Sequence, residues 1–442
     1  MRFSTLDDWL SWQEGLHPSE IDLGLARVHE VLCRLGRDKP AHPVVTVAGT
    51  NGKGSSVTLL AAIYRAAGYR VGAFTSPHLL RYNERIRIDG EEVADELLCQ
   101  TFERIDQARG EISLTYFEFG ALAAIDCFAA AEVDVAILEV GLGGRLDAVN
   151  IIDADVALIT SIGVDHEAWL GSDRETIGRE KAGIMRAGCP VVCGDPDPPA
   201  SIASAADALG ARLYAQGVDF DIQRQQNQWR WRAGSRCRDA LPMPALRGRY
   251  QLQNAAAVLM VVELLARQLP VSQAHLREGL GTARLAGRFQ VLPGAIPLIL
   301  DVAHNPQASE ALAGNLRAWP TPGETHAVVA MMADKNMVEI FSALIPEVDH
   351  WHLTGIDTPR AAPPEQLEEA LTALGQHRLT IHASVTQAIE RVRAGARAHD
   401  RIVVFGSFYT VAEAMAAAYT PSGPVASESI AGDGVSNIRV EG

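Results

Sequence analysis

Apolar strand-like runs alternating with helical stretches, a glycine-rich turn between the first strong strand and its helix, and a restart of this alternation after residue 297 predict an α/β protein. The expected architecture is a P-loop-type, mostly parallel sheet domain followed by a smaller Rossmann-like α/β domain. Its parts are a first domain at 1–286, a linker at 287–297 and a second domain at 298–419. A disordered tail is expected at 420–442, where Ser, Gly, Pro and Ala replace apolar periodicity.

The first strand reads Val44-Val45-Thr46-Val47-Ala48, apolar and β-branched as burial on both faces requires. Gly49-Thr50-Asn51-Gly52-Lys53-Gly54-Ser55 follows, then a helical run that stops at Gly68. Three glycines within six residues let the backbone turn tightly and bring its N–H groups close to an anion, at a helix N-terminus that adds partial positive charge. Lys53 supplies a full charge that reaches terminal phosphates, and Ser55 or Ser56 offers a hydroxyl to a magnesium-bound phosphate. The spacing departs from G-x-x-x-x-G-K-S/T, because two residues separate Gly49 from Gly52 and Gly54 follows the lysine. With a strand before it and a helix after it, the stretch reads as a nucleotide triphosphate cradle.

This heptapeptide, G-T-N-G-K-G-S, resembles the ATP loop of the folylpolyglutamate synthase and dihydrofolate synthase family, relatives of the Mur ligases. The resemblance extends over nearly the whole chain.

Composition sets the frame for these motifs. A chain of 442 residues with 48% hydrophobic content has room for two or three domains and a large core. No window approaches the roughly 18 uninterrupted apolar residues of a membrane span, and the N-terminus has no apolar signal core, so a cytoplasmic protein is expected. Six scattered cysteines read as buried free thiols. A net charge of −15 argues against nucleic acid, and it requires local cations and helix N-termini to hold anionic substrates.

Taken in order, residues 5–36 carry helical signals interrupted by Ile21-Asp22-Leu23-Gly24-Leu25, where the glycine breaks an apolar run. A second strand, Tyr69 to Thr75, ends in Ser76-Pro77-His78; Val135 to Leu138 runs into Glu139; Val156 to Thr160 leads to Asp165-His166. Ligands of open parallel sheets bind outside the carboxyl ends of the strands, which places Ser76, Glu139 and His166 on the edge that holds Lys53. A carboxylate, a hydroxyl, an imidazole and phosphate oxygens suit Mg²⁺; zinc would require more Cys or His. Leu114 to Phe119, containing Thr115, Tyr116, Phe117 and Glu118, reads as an aromatic-rich helix start. Gly141 to Ala148, with Arg145, Leu146, Asp147 and Ala148, reads as a flexible loop, and Arg179 to Ile184 as a solvated helix end. Trp229-Arg230-Trp231-Arg232 alternates like a strand and fits an antiparallel hairpin on the domain surface better than a base-stacking platform. Asn254 opens an alanine-rich helix, and Leu298 to Pro306, containing Asp301 and His304, is a strand, a turn and a helix with proline near its first position. Later strands are expected at Ala327 to Met332, Trp351 to Thr354 and Ile402 to Phe405.

The family resemblance implies roles for these residues. Gly49, Thr50, Asn51, Gly52, Lys53, Gly54 and Ser55 would bind ATP, joined by Asn254, by Arg288 from the linker and by Asp301. Ser76, Glu139 and His166 match magnesium ligands. Lys181 matches a lysine that is carbamylated, which turns a repelled ammonium into a carboxylate able to bind a second metal ion. Asp22, Leu23, Gly24 and Leu25 match a dihydropteroate site; Thr115 to Glu118 and Arg145 to Ala148 match pterin and nucleotide-edge segments; His304 faces substrate. Tyr409 stands where relatives often have histidine, and no role is assigned to it.

The reaction so implied begins with Lys53, the loop amides and two Mg²⁺ neutralising charge as the γ-phosphoryl group of ATP moves to a substrate carboxylate. The amino group of L-glutamate then displaces phosphate from the acyl phosphate. The expected enzyme is a bifunctional amide ligase acting on dihydropteroate and reduced folates, a monomer with no nucleic-acid or membrane partner. A Mur ligase taking a UDP-sugar peptide and a regulatory nucleotide switch are the rival readings. The first usually carries a UDP-binding domain ahead of the cradle, and the second leaves the second domain idle.

Overall fold

The structure, a computed structural model, describes residues 2–19 and 21–419; the expected tail at 420–442 lies outside them. Eight strands form the first sheet: β1 (Val44–Ala48), β2 (Val71–Phe74), β3 (Ile86–Ile88), β4 (Glu91–Glu92), β5 (Val135–Glu139), β6 (Val156–Ile159), β7 (Val191–Cys193) and β8 (Leu213–Ala215). Their order is β4-β3-β2-β5-β1-β6-β7-β8. From β2 to β8 all neighbours are parallel, and β3 and β4 add an antiparallel edge.

β1 is buried along its whole length because helices cover both faces. Val45 and Val47 belong to the core formed with Leu59, Leu60 and Ile63 of the helix Lys53–Ala66 and with the helix Arg249–Leu265. Val44 and Ala48 belong to the opposite core, with Phe119 and Leu122 of the helix Tyr116–Ala130. That helix starts at the aromatic stretch through a capping box: Glu118 N donates to Thr115 Oγ1 at 3.2 Å, and Thr115 N to Glu118 Oε2 at 2.8 Å.

β9 (Phe220–Gln225), β10 (Gln228–Ala233) and β11 (Arg236–Pro242) form a separate antiparallel sheet. The expected hairpin is thus a three-stranded sheet, and its alternation has a clear purpose. Arg230 and Arg232 are exposed, whereas Trp229 and Trp231 are fully buried. Trp231 Nε1 donates to the Ala256 carbonyl at 3.0 Å, tying the sheet to the helix that carries Asn254. A Trp231→Ala variant is expected to lose about 3–5 kcal/mol of stability, read as a lower urea midpoint.

The second sheet contains β12 (Gln290–Leu292), β13 (Leu298–Leu300), β14 (Thr325–Val329), β15 (His350–Thr354), β16 (Leu379–His382) and β17 (Arg401–Phe405), in the order β12-β13-β17-β14-β15-β16. All pairs are parallel except β12 with β13. The stretch expected as a linker at 287–297 therefore contains an edge strand of this sheet. A three-residue strand ending at Leu292-Pro293-Gly294 has too few residues for a period to be visible in sequence.

The cysteines are all free, but Cys33 and Cys237 are exposed, contrary to the expectation of burial throughout. Cys33 sits on the outer side of an amphipathic helix, Ala26–Arg34, whose Val28, Val31 and Leu32 turn inward. Among the described residues no helix is long and apolar enough to cross a membrane.

Candidate active site

The parallel strands β1, β2, β5 and β6 end on one side of the first sheet, and the residues that follow them meet there. Lys53 is the first residue of its helix, Ser76 follows β2, Glu139 closes β5, and His166 precedes the short helix Glu167–Leu170. Lys181, from the helix Arg174–Ala182, completes this wall. Asn254, Arg288, Asp301 and His304 approach from the other side, and all nine line one cavity of about 820 Å³ with Gly49 to Ser55.

Within the loop, Lys53 Nζ donates to the carbonyls of Gly49 at 3.0 Å and Thr50 at 3.2 Å. Gly52 has φ +87°, and a Cβ there would lie 2.6 Å from Asn254 Oδ1. Only glycine lets Asn254 close over the loop. A Gly52→Ala variant combines left-handed strain with this collision, worth about 1–3 kcal/mol. Its affinity for ATP should fall roughly 10- to 100-fold by equilibrium titration. Ser55 Oγ accepts from Gln251 Nε2 at 3.1 Å, and Gln251 Oε1 accepts from Asn254 Nδ2 at 3.1 Å.

Thr50 and Asn51 have their side chains engaged within the protein. Thr50 Oγ1 donates to the Gly163 carbonyl at 2.9 Å. Asn51 Nδ2 donates to Gln307 Oε1 at 2.8 Å and to Asn305 Oδ1 at 3.2 Å, both across the cleft. Their side chains brace the loop, and their backbone N–H groups donate to Ser161, Thr50 N to its carbonyl at 2.6 Å and Asn51 N to its Oγ at 3.3 Å.

Burial governs the charges here. It works against charge on Lys53 and on Glu139, and each is the main influence opposing that effect on the other. Burial, with Lys53 adding, pushes Lys181 down to about 7. Burial brings His166 down to about 4 against the pull of Asp165, leaving a neutral imidazole at physiological pH. Burial likewise lowers Arg288 and raises Asp301, which accepts from Phe289 N and Ala303 N at 2.9 Å each.

The donor set fits a hard divalent cation. Glu139 is buried and accepts from Ser76 N at 3.2 Å, while a carboxylate offers about four lone-pair positions. The neutral His166 and the Ser76 hydroxyl bring further lone pairs; Lys181 as an ammonium would not ligate, and as a carbamate it would.

A second cavity, of about 1050 Å³, adjoins the first and shares Ser76, Gly141, Asp165, His166 and His304 with it. Asp22, Leu23, Thr115, Tyr116, Phe117, Glu118, Leu146, Asp147 and Ala148 line it. Glu118 pairs with Arg27 at 2.9 Å, and Arg27 with Asp22 at 2.5 Å, so a salt-bridge chain stiffens this wall. Burial raises Asp147 to about 7, although Leu142 N donates to it at 2.8 Å and Val149 N at 3.1 Å.

Three expected residues are not brought to either cavity. Arg145 is exposed and pairs with Glu180 at 3.0 Å. Its backbone is held by the Glu180 carbonyl at 2.9 Å, which sends the side chain outward along that helix. Gly24 and Leu25 turn the chain into the helix Ala26–Arg34.

Sequence reasoning also missed several residues. Asp165 sits where the two cavities meet, paired with Lys335 at 2.9 Å from the loop after β14. His304 Nε2 lies 3.6 Å from it, and Asn305 Nδ2 donates to it at 3.1 Å. Burial would raise the Asp165 carboxyl, but the hydrogen bond and charge of His304, with His166 and Lys335 adding, hold it well below the usual carboxylate range. Arg85 and Arg360 also line the second cavity. The strand-end rule could have flagged Lys335; Arg85, on a short turn after an unassigned loop, gave no signal.

Comparison with known proteins places this architecture. Residues 47–262 match the model of the Mur ligase middle domain, and residues 287–408 that of the Mur ligase glutamate ligase domain. The fold and the site are those of a Mur-type ligase. A dihydrofolate synthase/folylpolyglutamate synthase of Escherichia coli K12 is 46% identical over 412 residues, 93% of this chain and 95% of the relative. The Haemophilus influenzae protein of the same name is 39% identical, covering 93% of this chain and 97% of the relative. Solved structure of Escherichia coli FolC in complex with DHPP and ADP superposes with a TM-score of 0.89 at 45% identity, over 93% of this chain and 97% of that one. A bifunctional folylpolyglutamate synthase/dihydrofolate synthase with Mn, AMPPNP and L-glutamate bound gives 0.87 at 47% identity, over 94% and 98%. The chain belongs to the dihydrofolate synthase/folylpolyglutamate synthase family of ATP-dependent ligases.

Proposed function

We propose that this enzyme adds L-glutamate to dihydropteroate, forming dihydrofolate, and to reduced folates, forming polyglutamates, with ATP supplying an acyl-phosphate intermediate. The observation that carries this reading is the junction of the two cavities at Ser76, Asp165, His166 and His304. A triphosphate along the loop and a carboxylate reaching in from the second cavity would meet there. The relatives' complexes with ADP or AMPPNP, with DHPP and with L-glutamate support the same division of labour.

In this reading Gly49 to Ser55 hold the phosphates through loop amides, Lys53 balances charge on the moving phosphoryl group, and Asn254, Arg288 and Asp301 orient the nucleotide. Asp22, Leu23 and Thr115 to Glu118 seat the pterin end of the acceptor, with Leu146, Asp147 and Ala148 beside them. Arg85, Lys335 and Arg360 supply positive charge in a chain whose net charge is −15, where glutamyl carboxylates would otherwise be repelled. Asp165 and His304 stand beside the place where the glutamate amine attacks. No protein nucleophile is required, because phosphorylation has already given the acid a good leaving group. The cleft between the lobes keeps water from the acyl phosphate.

Ser76, Glu139, His166 and a carbamylated Lys181 would hold two magnesium ions, whose chemistry when bound is to neutralise charge on the phosphates. Lys181 is buried at the cavity wall with a depressed affinity for its proton, and the neutral amine is the form that adds CO₂. ¹³C-labelled bicarbonate should give a carbamate resonance on the native protein that a Lys181→Ala variant lacks; full activity in CO₂-free buffer would overturn this assignment. We place the domain boundary between 286 and 298 and expect a monomer.

The deciding assay is glutamate-dependent phosphate release with dihydropteroate and tetrahydrofolate side by side. Both should trigger it and a UDP-muramyl substrate should not. Release with the UDP compound alone would sink the folate reading.

A further inference from the structure

On the second sheet, away from the nucleotide cleft, four histidines gather on one face. His326 is near the start of β14, His350 and His352 lie two apart on β15, and His382 ends β16. Parallel pairing sets His326 directly opposite His350. The rings of His350 and His352 stack at 4.3 Å, and His326 is 5.4 Å from His352 and 5.7 Å from His350. One ring nitrogen from each of these three can be chosen so that all lie within 4.8 Å of one another.

We propose that His326, His350 and His352 form a binding site for a divalent transition-metal ion of the zinc class, separate from the magnesium chemistry of the cleft. His326 Nδ1 and His352 Nε2 are 3.2 Å apart. Two ligands held at zinc–nitrogen distances of about 2.0–2.1 Å on a tetrahedral ion are separated by about 3.3 Å, so the pair is already set for one. The partners of the remaining ring nitrogens match what metal-bound imidazoles need. His352 Nδ1 faces His382 Nε2 at 3.0 Å, His350 Nε2 faces Thr380 Oγ1 at 3.0 Å, and His326 Nε2 looks toward Asp400 Oδ2 at 3.7 Å. That last nitrogen is buried and has no hydrogen bond in the protein.

Ligand type separates this set from magnesium, which prefers oxygen; imidazoles favour zinc, copper or nickel. His350 is half-buried, which leaves the ion a way in. Bound there, the ion would join β14 to β15 at the strand ends opposite those that carry Asp301 and Lys335. Its role would be structural.

The test uses the full-length protein, stripped with chelator and then kept in saturating Mg²⁺ so that the oxygen-lined cleft is occupied. Titration with Co²⁺ should produce a tetrahedral visible spectrum, and Zn²⁺ should displace it. His350→Asn, a polar change at a half-buried position, should weaken binding at least about tenfold. Zn²⁺ should raise the melting temperature of the wild type but not that of this variant. The proposal is overturned by a wild type with no Mg²⁺-resistant spectrum, or by a His350→Asn protein that binds as tightly as wild type. Loss of the signal in Cys33→Ser instead, pointing to the exposed His29 and Cys33 pair at 3.7 Å, would equally overturn it.

Discussion

A Lys53→Ala enzyme is expected to turn over on the order of 10²–10³-fold more slowly than wild type, a loss of about 2.7–4 kcal/mol of transition-state stabilisation. The Gly49 and Thr50 carbonyls occupy two of the three ammonium donors and fix the position of the charge, leaving the third to reach a phosphate oxygen. Because the amine is preorganised and sits in a site with little water, charge that develops during transfer is met without reorganisation. The effect should therefore appear mainly in kcat, with a smaller rise in KM for ATP. Lys53→Arg should not restore the rate, since a planar guanidinium cannot take the place of a compact ammonium between two loop carbonyls. Steady-state phosphate release is the measurement, and a near-normal kcat in Lys53→Ala would remove the residue from this role.

Lys335→Ala should destabilise the full-length protein by about 3–5 kcal/mol. The Lys335–Asp165 pair at 2.9 Å joins the two lobes, and both side chains are more than nine-tenths buried, at 8% and 9% exposure. Removing the lysine leaves a buried carboxylate without its one close full positive charge, held only by His166 N at 2.9 Å, by Asn305 and by the more distant His304. A surface pair would give a fraction of this. The urea midpoint measures the loss, and the lobe interface should come apart first. The double variant Lys335→Met with Asp165→Asn should recover much of the stability, because neither charge is then left alone, while activity stays low. Equal stability of Lys335→Ala and wild type would show that the pair does not hold the lobes together.

The legible parts of this protein were those encoded over short distances. The loop from Gly49 to Ser55 announced itself through glycine conformations and one lysine, and the helix start at Leu114 to Phe119 through its aromatic run, whereas the capping box at Thr115 and Glu118 came only from the structure. Strand ends at Ser76 and Glu139 were visible because buried parallel strands are apolar runs that stop at their polar ends. Trp229 and Trp231 gave the correct alternation but not the partner. Their burial depends on the helix Arg249–Leu265, and nothing near them in sequence indicates it.

By itself the sequence determined the α/β class, the order of the two sheets and the chemistry available at the cradle. Each of these rests on local rules, namely periodicity, glycine torsions and residues at strand ends. The tertiary structure alone decided that Arg145 turns out to Glu180, that Asn51 braces the far lobe, and that Lys335 closes on Asp165, 170 residues away in the chain. Such contacts arise only once the two lobes have come together, and a long polar side chain takes whichever partner that packing puts within reach.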